Sequence, residues 1–210
     1  IKDIQGKVIE TKTEADSVMI YVDYRPGQKI VGLSWSASQF LGKGGKGTFI
    51  VPSTIGYGST PPAGVESNSI LILDVHVIDR LTETQQFQWY AKKNKLPALE
   101  TTSTGLAFAK TLVKADSTLA SDAASVTVRY TGKFLTGIKF DENITTAGVT
   151  FALNGTIPGF AEAIKKMRVG EKATALLPYK LGYGEFGDSQ GKIPGYTPLV
   201  FDIELVKFTK

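Results

Sequence analysis

Residues 171–184 read Glu171-Lys172-Ala173-Thr174-Ala175-Leu176-Leu177-Pro178-Tyr179-Lys180-Leu181-Gly182-Tyr183-Gly184. Residues 45–58 read Gly45-Lys46-Gly47-Thr48-Phe49-Ile50-Val51-Pro52-Ser53-Thr54-Ile55-Gly56-Tyr57-Gly58. In both, an apolar run stops at a proline and Gly-Tyr-Gly begins four residues later, at an offset of 126 residues. Two more landmarks keep nearly the same offset. Ile30-Val31-Gly32-Leu33 matches Ile157-Pro158-Gly159-Phe160 at 127, and residues 70–77 match residues 198–205 at 128. Several landmarks in one order at near-constant spacing mark two copies of one domain.

The second copy carries readable secondary structure. Val126-Thr127-Val128-Arg129-Tyr130 alternates apolar and polar side chains, as a half-buried strand does. Leu199 to Val206 is a second strand, Leu106 to Val113 a third, and Ala173 to Leu177 a fourth, closed by Pro178. Phe160, Ala163, Ile164 and Met167 fall at helical spacing behind Pro158-Gly159, which predicts one short amphipathic helix ending near Gly170. Many antiparallel strands with one helix make an α+β domain whose sheet must cover that helix. Between the copies, Thr82 to Lys95 holds no Pro or Gly, and Thr82 with Glu83 suits a helix start. Phe87, Trp89, Tyr90 and Ala91 give this connector an apolar side, which either packs on its own domain or docks a partner or second copy. The expected organisation is a first domain over 1–80, a helical connector over 81–100 and a second domain over 101–210.

Composition removes whole classes of function. The chain has 210 residues, 42% of them hydrophobic and 21% charged, which is the balance of a folded domain pair. No stretch has the roughly 18–20 consecutive apolar residues a membrane span needs. There is no cysteine, so disulfides, thiolate metal sites and cysteine nucleophiles are excluded. A single histidine, His76, excludes a histidine metal cluster, and its place between Val75 and Val77 makes it an outward-facing strand residue. The net charge of +4 is spread thinly: residues 1–100 hold 11 Lys+Arg against 10 Asp+Glu, and residues 101–210 hold 13 against 10. A nucleic-acid partner is therefore not expected, because such sites gather their charge on one face. The chain opens at Ile1 with no initiator Met, which reads as a processed or truncated form.

The second copy resembles the FKBP-type peptidyl-prolyl cis–trans isomerases over about 105 residues. The resemblance rests on Val128-Arg129-Tyr130-Thr131-Gly132, Gly137-Ile138-Lys139-Phe140-Asp141, Ile157-Pro158-Gly159-Phe160, Gly182-Tyr183-Gly184, Ile193-Pro194 and Leu199-Val200-Phe201-Asp202, in the family order. Taken alone, aromatics on strands belong to a core, and Asp141 before Glu142-Asn143 reads as turn chemistry. The resemblance implies a pocket instead, with Phe160 as its floor and Tyr130, Phe140 and Phe201 as its walls. It further implies that the Ile157 N–H and the Tyr183 hydroxyl hold substrate carbonyls, that Asp141 sets the local field, and that Ile193 closes one side.

The implied fold is two tandem FKBP-like α+β domains, each an antiparallel sheet wrapped around a short helix. The implied function is acceleration of X–Pro rotation in proline-containing segments of unfolded or exported proteins, without metal or cofactor. The rival reading is a non-catalytic chaperone or assembly module that binds apolar segments through the same cups. The lead-in from Thr101 is similar to that of bacterial envelope members, which implies a periplasmic or envelope location with an anchor before Ile1. A homodimer through the first domain or connector helix fits either reading.

The departures carry their own expectations. The family's usual floor is tryptophan, and Phe160 is smaller and lacks the indole N–H, which implies weaker binding of the family's bulky macrolide inhibitors. An arginine often follows the acid, whereas Ile144-Thr145-Thr146-Ala147-Gly148 offers no cation. A wall phenylalanine aligns with Val149. In the first copy Gly6-Lys7-Val8-Ile9-Glu10 stands at the acid stretch, Leu33 at the floor and Leu73 at the last strand, and only Ile30 and Tyr57 keep their types. That copy reads as a domain that kept the fold and lost the cup, its opening strand lying before Ile1.

Overall fold

The computed structural model describes residues 1–12, 30–115 and 117–210. Two compact units follow one another, Ile1–Arg80 and Leu81–Lys210.

In the first unit, β1 (Lys2–Asp3), β2 (Lys46–Val51) and β3 (Leu71–His76) form an antiparallel sheet in the order β1-β3-β2. Helix α1 (Val31–Phe40) packs on it. A Cβ at Gly32 would stand 2.4 Å from a methyl of Val51, so only glycine lets the helix approach β2 this closely. Val51, Leu71 and Leu73 are the buried centre of this unit, and His76 ends β3 exposed.

The second unit opens with α2 (Glu83–Lys93) and continues through β4 (Glu100–Thr101), β5 (Ala107–Leu112), β6 (Ser125–Phe134), β7 (Lys139–Asn143) and β8 (Val149–Ala152). Then come α3 (Pro158–Lys165), β9 (Lys172–Leu177) and β10 (Leu199–Thr209). The sheet is antiparallel, in the order β4-β5-β9-β10-β6-β7, with β8 also paired to β6. On the edge away from β10, strand β6 serves two partners, β7 along residues 130–133 and β8 along 125–128, leaving Tyr130 beside the junction. The α3 helix repeats the close approach of α1, since a Cβ at Gly159 would stand 2.5 Å from Leu177. It stops short of Gly170, where the expected end lay. The Lys166 N–H turns to the Ala163 and Ile164 carbonyls and closes the last turn.

Alternation along the strands gives the sheet two apolar faces. Phe108, Ala175 and Phe201 lie side by side on the face that cups α3, and Phe160, Ala163, Ile164 and Met167 fill that cup from the helix. Their neighbours Ala107, Leu176 and Val200 form a second buried row on the opposite face. Helix α2 lies on that side, with Phe87, Tyr90 and Ala91 buried and the Tyr90 phenol beside Lys133 and Asp202. Thr82 and Gln85 close its first turn as a reciprocal capping box. The connector's apolar side is therefore spent on its own unit.

Candidate functional site

Four rings meet at the open end of the cup. Phe201 on β10 packs 5.2 Å from Phe160 on α3 and 5.7 Å from Phe140 on β7, both edge to face. Tyr130 on β6 completes the group at 5.8 Å from Phe160 and 6.2 Å from Phe201. These spacings and tilts are those in which ring quadrupoles attract, adding about 0.5–1.5 kcal/mol per pair beyond burial. Phe140, Phe160 and Phe201 are buried, while Tyr130 is half-buried and reaches the rim. Gly132 makes the wall feasible: a Cβ there would lie 2.6 Å from the Phe140 ring.

The polar groups ring this apolar floor. The Tyr130 hydroxyl donates to Asp141 Oδ2 at 2.5 Å, diagonally across the β6–β7 pair. Burial, then the bond to Asp141 and that carboxylate's charge, then Tyr183, push the Tyr130 phenol far above its ordinary range. Tyr183 follows β9 in a turn closed by bonds from the Gly182 and Gly184 N–H groups to the Tyr179 carbonyl. Its phenol is also pushed up, by burial and by the charges of Asp188 and Asp141. Asp141 and Tyr183 thus act on Tyr130 together, and Asp141 acts on both phenols.

Ile157 is the N-cap of α3 and packs against the core cluster of the second unit. No intramolecular acceptor takes its N–H among the described residues, as expected at a helix start without a side-chain cap. Ile193 is buried in the same cluster. Its N–H donates to Asp188 Oδ1 at 2.5 Å, and its carbonyl accepts from the Asp188 N–H, which pins the loop between Tyr183 and β10. Of the eight residues singled out from the sequence, Tyr130, Phe140, Phe160 and Phe201 share one ring cluster, Asp141 is bonded to it, Ile157 and Ile193 belong to the same core, and Tyr183 couples electrostatically to Tyr130 and Asp141.

The sequence reading omits one wall ring. Phe151 on β8 packs 5.9 Å from Tyr130 and 6.3 Å from Phe160. Val149, aligned with that wall, lies two residues earlier on the same face of β8, opposite Val128. Among the described residues no cation pairs with Asp141 in place of the family's arginine; Arg129 turns instead to Glu204 and to the Thr145 and Thr146 carbonyls. A separate cleft of about 270 Å³ is lined by Ala123, Leu153, Asn154, Ala161 and Lys165. It uses a different face of α3 and none of the clustered rings. In the first unit, Leu33 and Tyr57 flank buried Leu73 and Val51, and its ring pair, Phe40 with Phe49, lies at an exposed edge. No aromatic cup forms among its described residues.

A model of the FKBP-type peptidyl-prolyl cis–trans isomerase family matches residues 116–206. The chain is 30% identical over 159 residues to the FKBP-type 22 kDa peptidyl-prolyl cis–trans isomerase of Escherichia coli K12, covering 71% of this chain and 76% of that protein. It is 45% identical over 86 residues to the isomerase FkpA of Aeromonas hydrophila, covering 40% of this chain and 31% of that one. Among solved structures, a peptidyl-prolyl cis–trans isomerase from Pseudomonas syringae superposes with a TM-score of 0.51 at 26% identity, covering 60% of this chain and 91% of that one. FkpA from Escherichia coli superposes with a TM-score of 0.50 at 31% identity, covering 60% of this chain and 58% of that one. The chain thus spans between about a third and three quarters of the length of these two curated relatives.

Proposed function

The chain belongs to the FKBP-type peptidyl-prolyl cis–trans isomerases, and from this we propose that its second unit accelerates rotation about X–Pro bonds in folding client proteins. The observation that carries the reading is the ring cup of Tyr130, Phe140, Phe160 and Phe201, with Asp141 bonded at its rim and the donors Ile157 N–H and Tyr183 hydroxyl beside it.

The reaction asks for little chemistry. The barrier of about 18–20 kcal/mol is the loss of amide resonance on twisting, and no covalent bond is made or broken. A twisted amide is less polar than a planar one, so it loses less on leaving water for an apolar cup. Rings packed around the proline therefore favour the transition state over either planar isomer. In this reading Phe160 is the floor, Tyr130, Phe140, Phe201 and Phe151 are the walls, and Ile193 closes the side. The Ile157 N–H and the Tyr183 hydroxyl fix carbonyls of the substrate on either side of the rotating bond. Tyr130 holds the Asp141 carboxylate at the wall, where its charge sets the local field of the cup.

The test is proline isomerisation of a short Xaa-Pro peptide by the intact chain and by Tyr183→Phe and Asp141→Ala. Acceleration by the intact chain, with most of it lost in the variants, supports the reading. A folded chain that does not exceed the uncatalysed rate overturns catalysis and leaves a peptide-binding cup.

The bacterial relatives support clients among unfolded or exported proteins and a location in the periplasm or cell envelope. Osmotic-shock fractionation, with detergent partitioning to detect a lipid anchor, tests the location. A homodimer through the first unit or the connector helix belongs to the same proposal, and the burial of the apolar side of α2 on the second unit favours the first unit. Sedimentation velocity of the chain with and without Trp35→Ser, an exposed apolar residue of α1, tests that assignment. Macrolide inhibitors are expected to bind, more weakly than with a tryptophan floor.

A further inference from the structure

The helix between the two copies reaches the candidate site through one polar bond. Glu83 Oε1 accepts the Tyr179 N–H at 2.9 Å, and the Tyr179 carbonyl accepts the Gly182 and Gly184 N–H groups at 3.0 and 2.9 Å. From this chain of bonds we propose that Glu83 is a positioning residue for Tyr183, acting through the Tyr179 peptide group; the proposal rests on the reading of Tyr183 as a substrate donor.

Three features argue for it. First, Tyr183 needs a support outside itself. It is 38% exposed, and its hydroxyl has no acceptor within the chain among the described residues. The direction of its ring is therefore set by the backbone of residues 179–184. Second, the Tyr179 peptide group anchors the start of that backbone, whose far end is held by the Tyr196 N–H on the Gly184 carbonyl at 2.9 Å. The Tyr179 carbonyl closes the turn on one side, while its N–H starts a short helical turn behind Pro178 and has no partner inside it. A first-turn N–H must find an outside acceptor or water, and Glu83 is that acceptor. Third, Glu83 is itself fixed. It is the first residue of α2, inside the Thr82–Gln85 capping box, and Phe87 and Tyr90 bury the next turns of the helix against the sheet.

The consequence is that the isomerase unit begins at the connector helix. Residues 81–100 are part of the support of the site, and a domain cut at Thr101 loses the acceptor of the Tyr179 N–H.

The test is made on the full chain with a double-mutant cycle. Glu83→Ala is expected to lower kcat/KM for an Xaa-Pro peptide about threefold to tenfold, less than the full worth of a hydrogen bond to a charged group because the effect reaches Tyr183 only through the turn. Glu83→Gln, whose amide oxygen still accepts, is expected to recover most of that loss. In a Tyr183→Phe background Glu83→Ala is expected to change nothing further. Equal losses in both backgrounds, no loss at all, or failure of Glu83→Gln to recover activity overturns the proposal. Amide exchange of Gly182 and Gly184 separates it from the functional reading. If the wild-type chain proves inactive, faster exchange in Glu83→Ala alone keeps the support and removes only the catalysis, while unchanged exchange overturns the support as well.

Discussion

The Tyr130 hydroxyl and Asp141 Oδ2 stand 2.5 Å apart across two antiparallel strands, so a phenol and a carboxylate share one proton-bridged contact at the mouth of an apolar cup. The contact fixes the acid, which has no arginine partner among the described residues, and keeps the phenol protonated. Burial and Asp141 raise the folded-state pKa of Tyr130 above its unfolded value. Its contribution to stability is therefore fully present below the ordinary tyrosine range, about pH 10, and is lost as pH rises through the folded value. Near-ultraviolet titration should show one tyrosine ionising well after the others, and Asp141→Asn should bring it down towards them. A chain whose tyrosines all titrate together would contradict the geometry.

Gly132 is the second pressure point. Its missing Cβ leaves room for the Phe140 ring, which a methyl would meet at 2.6 and 2.7 Å, with Phe201 at 3.1 Å. Gly132→Ala should displace Phe140 and cost about 1–3 kcal/mol, the usual range for overfilling a packed core. Urea unfolding reads the cost. Peptide isomerisation should fall further than stability alone accounts for, because the displaced ring is a wall of the cup.

The floor gives a prediction with the opposite sign. Phe160 touches Tyr130, Phe151 and Phe201, and its ring presents no donor to a ligand. Phe160→Trp adds an indole N–H and more ring surface under the bound group. Macrolide affinity, measured by calorimetry, should rise about tenfold, one well-formed hydrogen bond with added contact. The larger ring should also cost stability, because the site is already filled. An affinity that falls with the tryptophan would place the inhibitor elsewhere.

Much of this architecture is legible in the sequence because the chain states it twice. The offset of 126–128 residues pairs Gly32 with Gly159 and Val51 with Leu177, and in the structure a Cβ on either glycine would stand 2.4 and 2.5 Å from its own partner. Alternating strands such as β6 and the α3 stripe are legible from period alone. What stays hidden has physical causes. Strand β7 buries only Phe140 of its five residues, so it carries no apolar alternation to detect. Phe151 and Val149 are two residues apart on one strand, hence on one face, and a two-residue slip leaves every facing direction unchanged. Periodicity cannot tell them apart; only the pairing with β6 does. In α1 the buried positions include Ser34 and Ser36 while Trp35 and Phe40 are exposed, the reverse of what hydropathy assigns. The Glu83–Tyr179 bond joins residues 96 apart, and nothing local announces it.

The last prediction concerns what holds the sheet around α3. Glu171 is fully buried, and its carboxylate takes the Lys110 ammonium at 2.8 Å on one oxygen. It also accepts the Lys114 N–H at 3.2 Å and the Arg168 N–H at 2.8 Å. The group thereby ties the end of β5 to the turn between α3 and β9. Burial alone would raise its pKa, but Lys110 and the two backbone donors outweigh that and hold it below the usual carboxylate range. The folded value is thus the lower one, so the contribution to stability is present above the unfolded value, about pH 4.3, and is lost as pH falls through the folded one. Urea midpoints should drop between pH 7 and pH 3, and Glu171→Gln should flatten that decline while lowering stability at neutral pH. Lys110→Met should cost about 3 kcal/mol, the low end for stripping a buried charge of its partner, because the lysine side chain keeps 30% of its surface in water. If Glu171→Gln leaves the acid decline unchanged, the carboxylate is not the group that fails first, and the β5 tie does not govern acid unfolding.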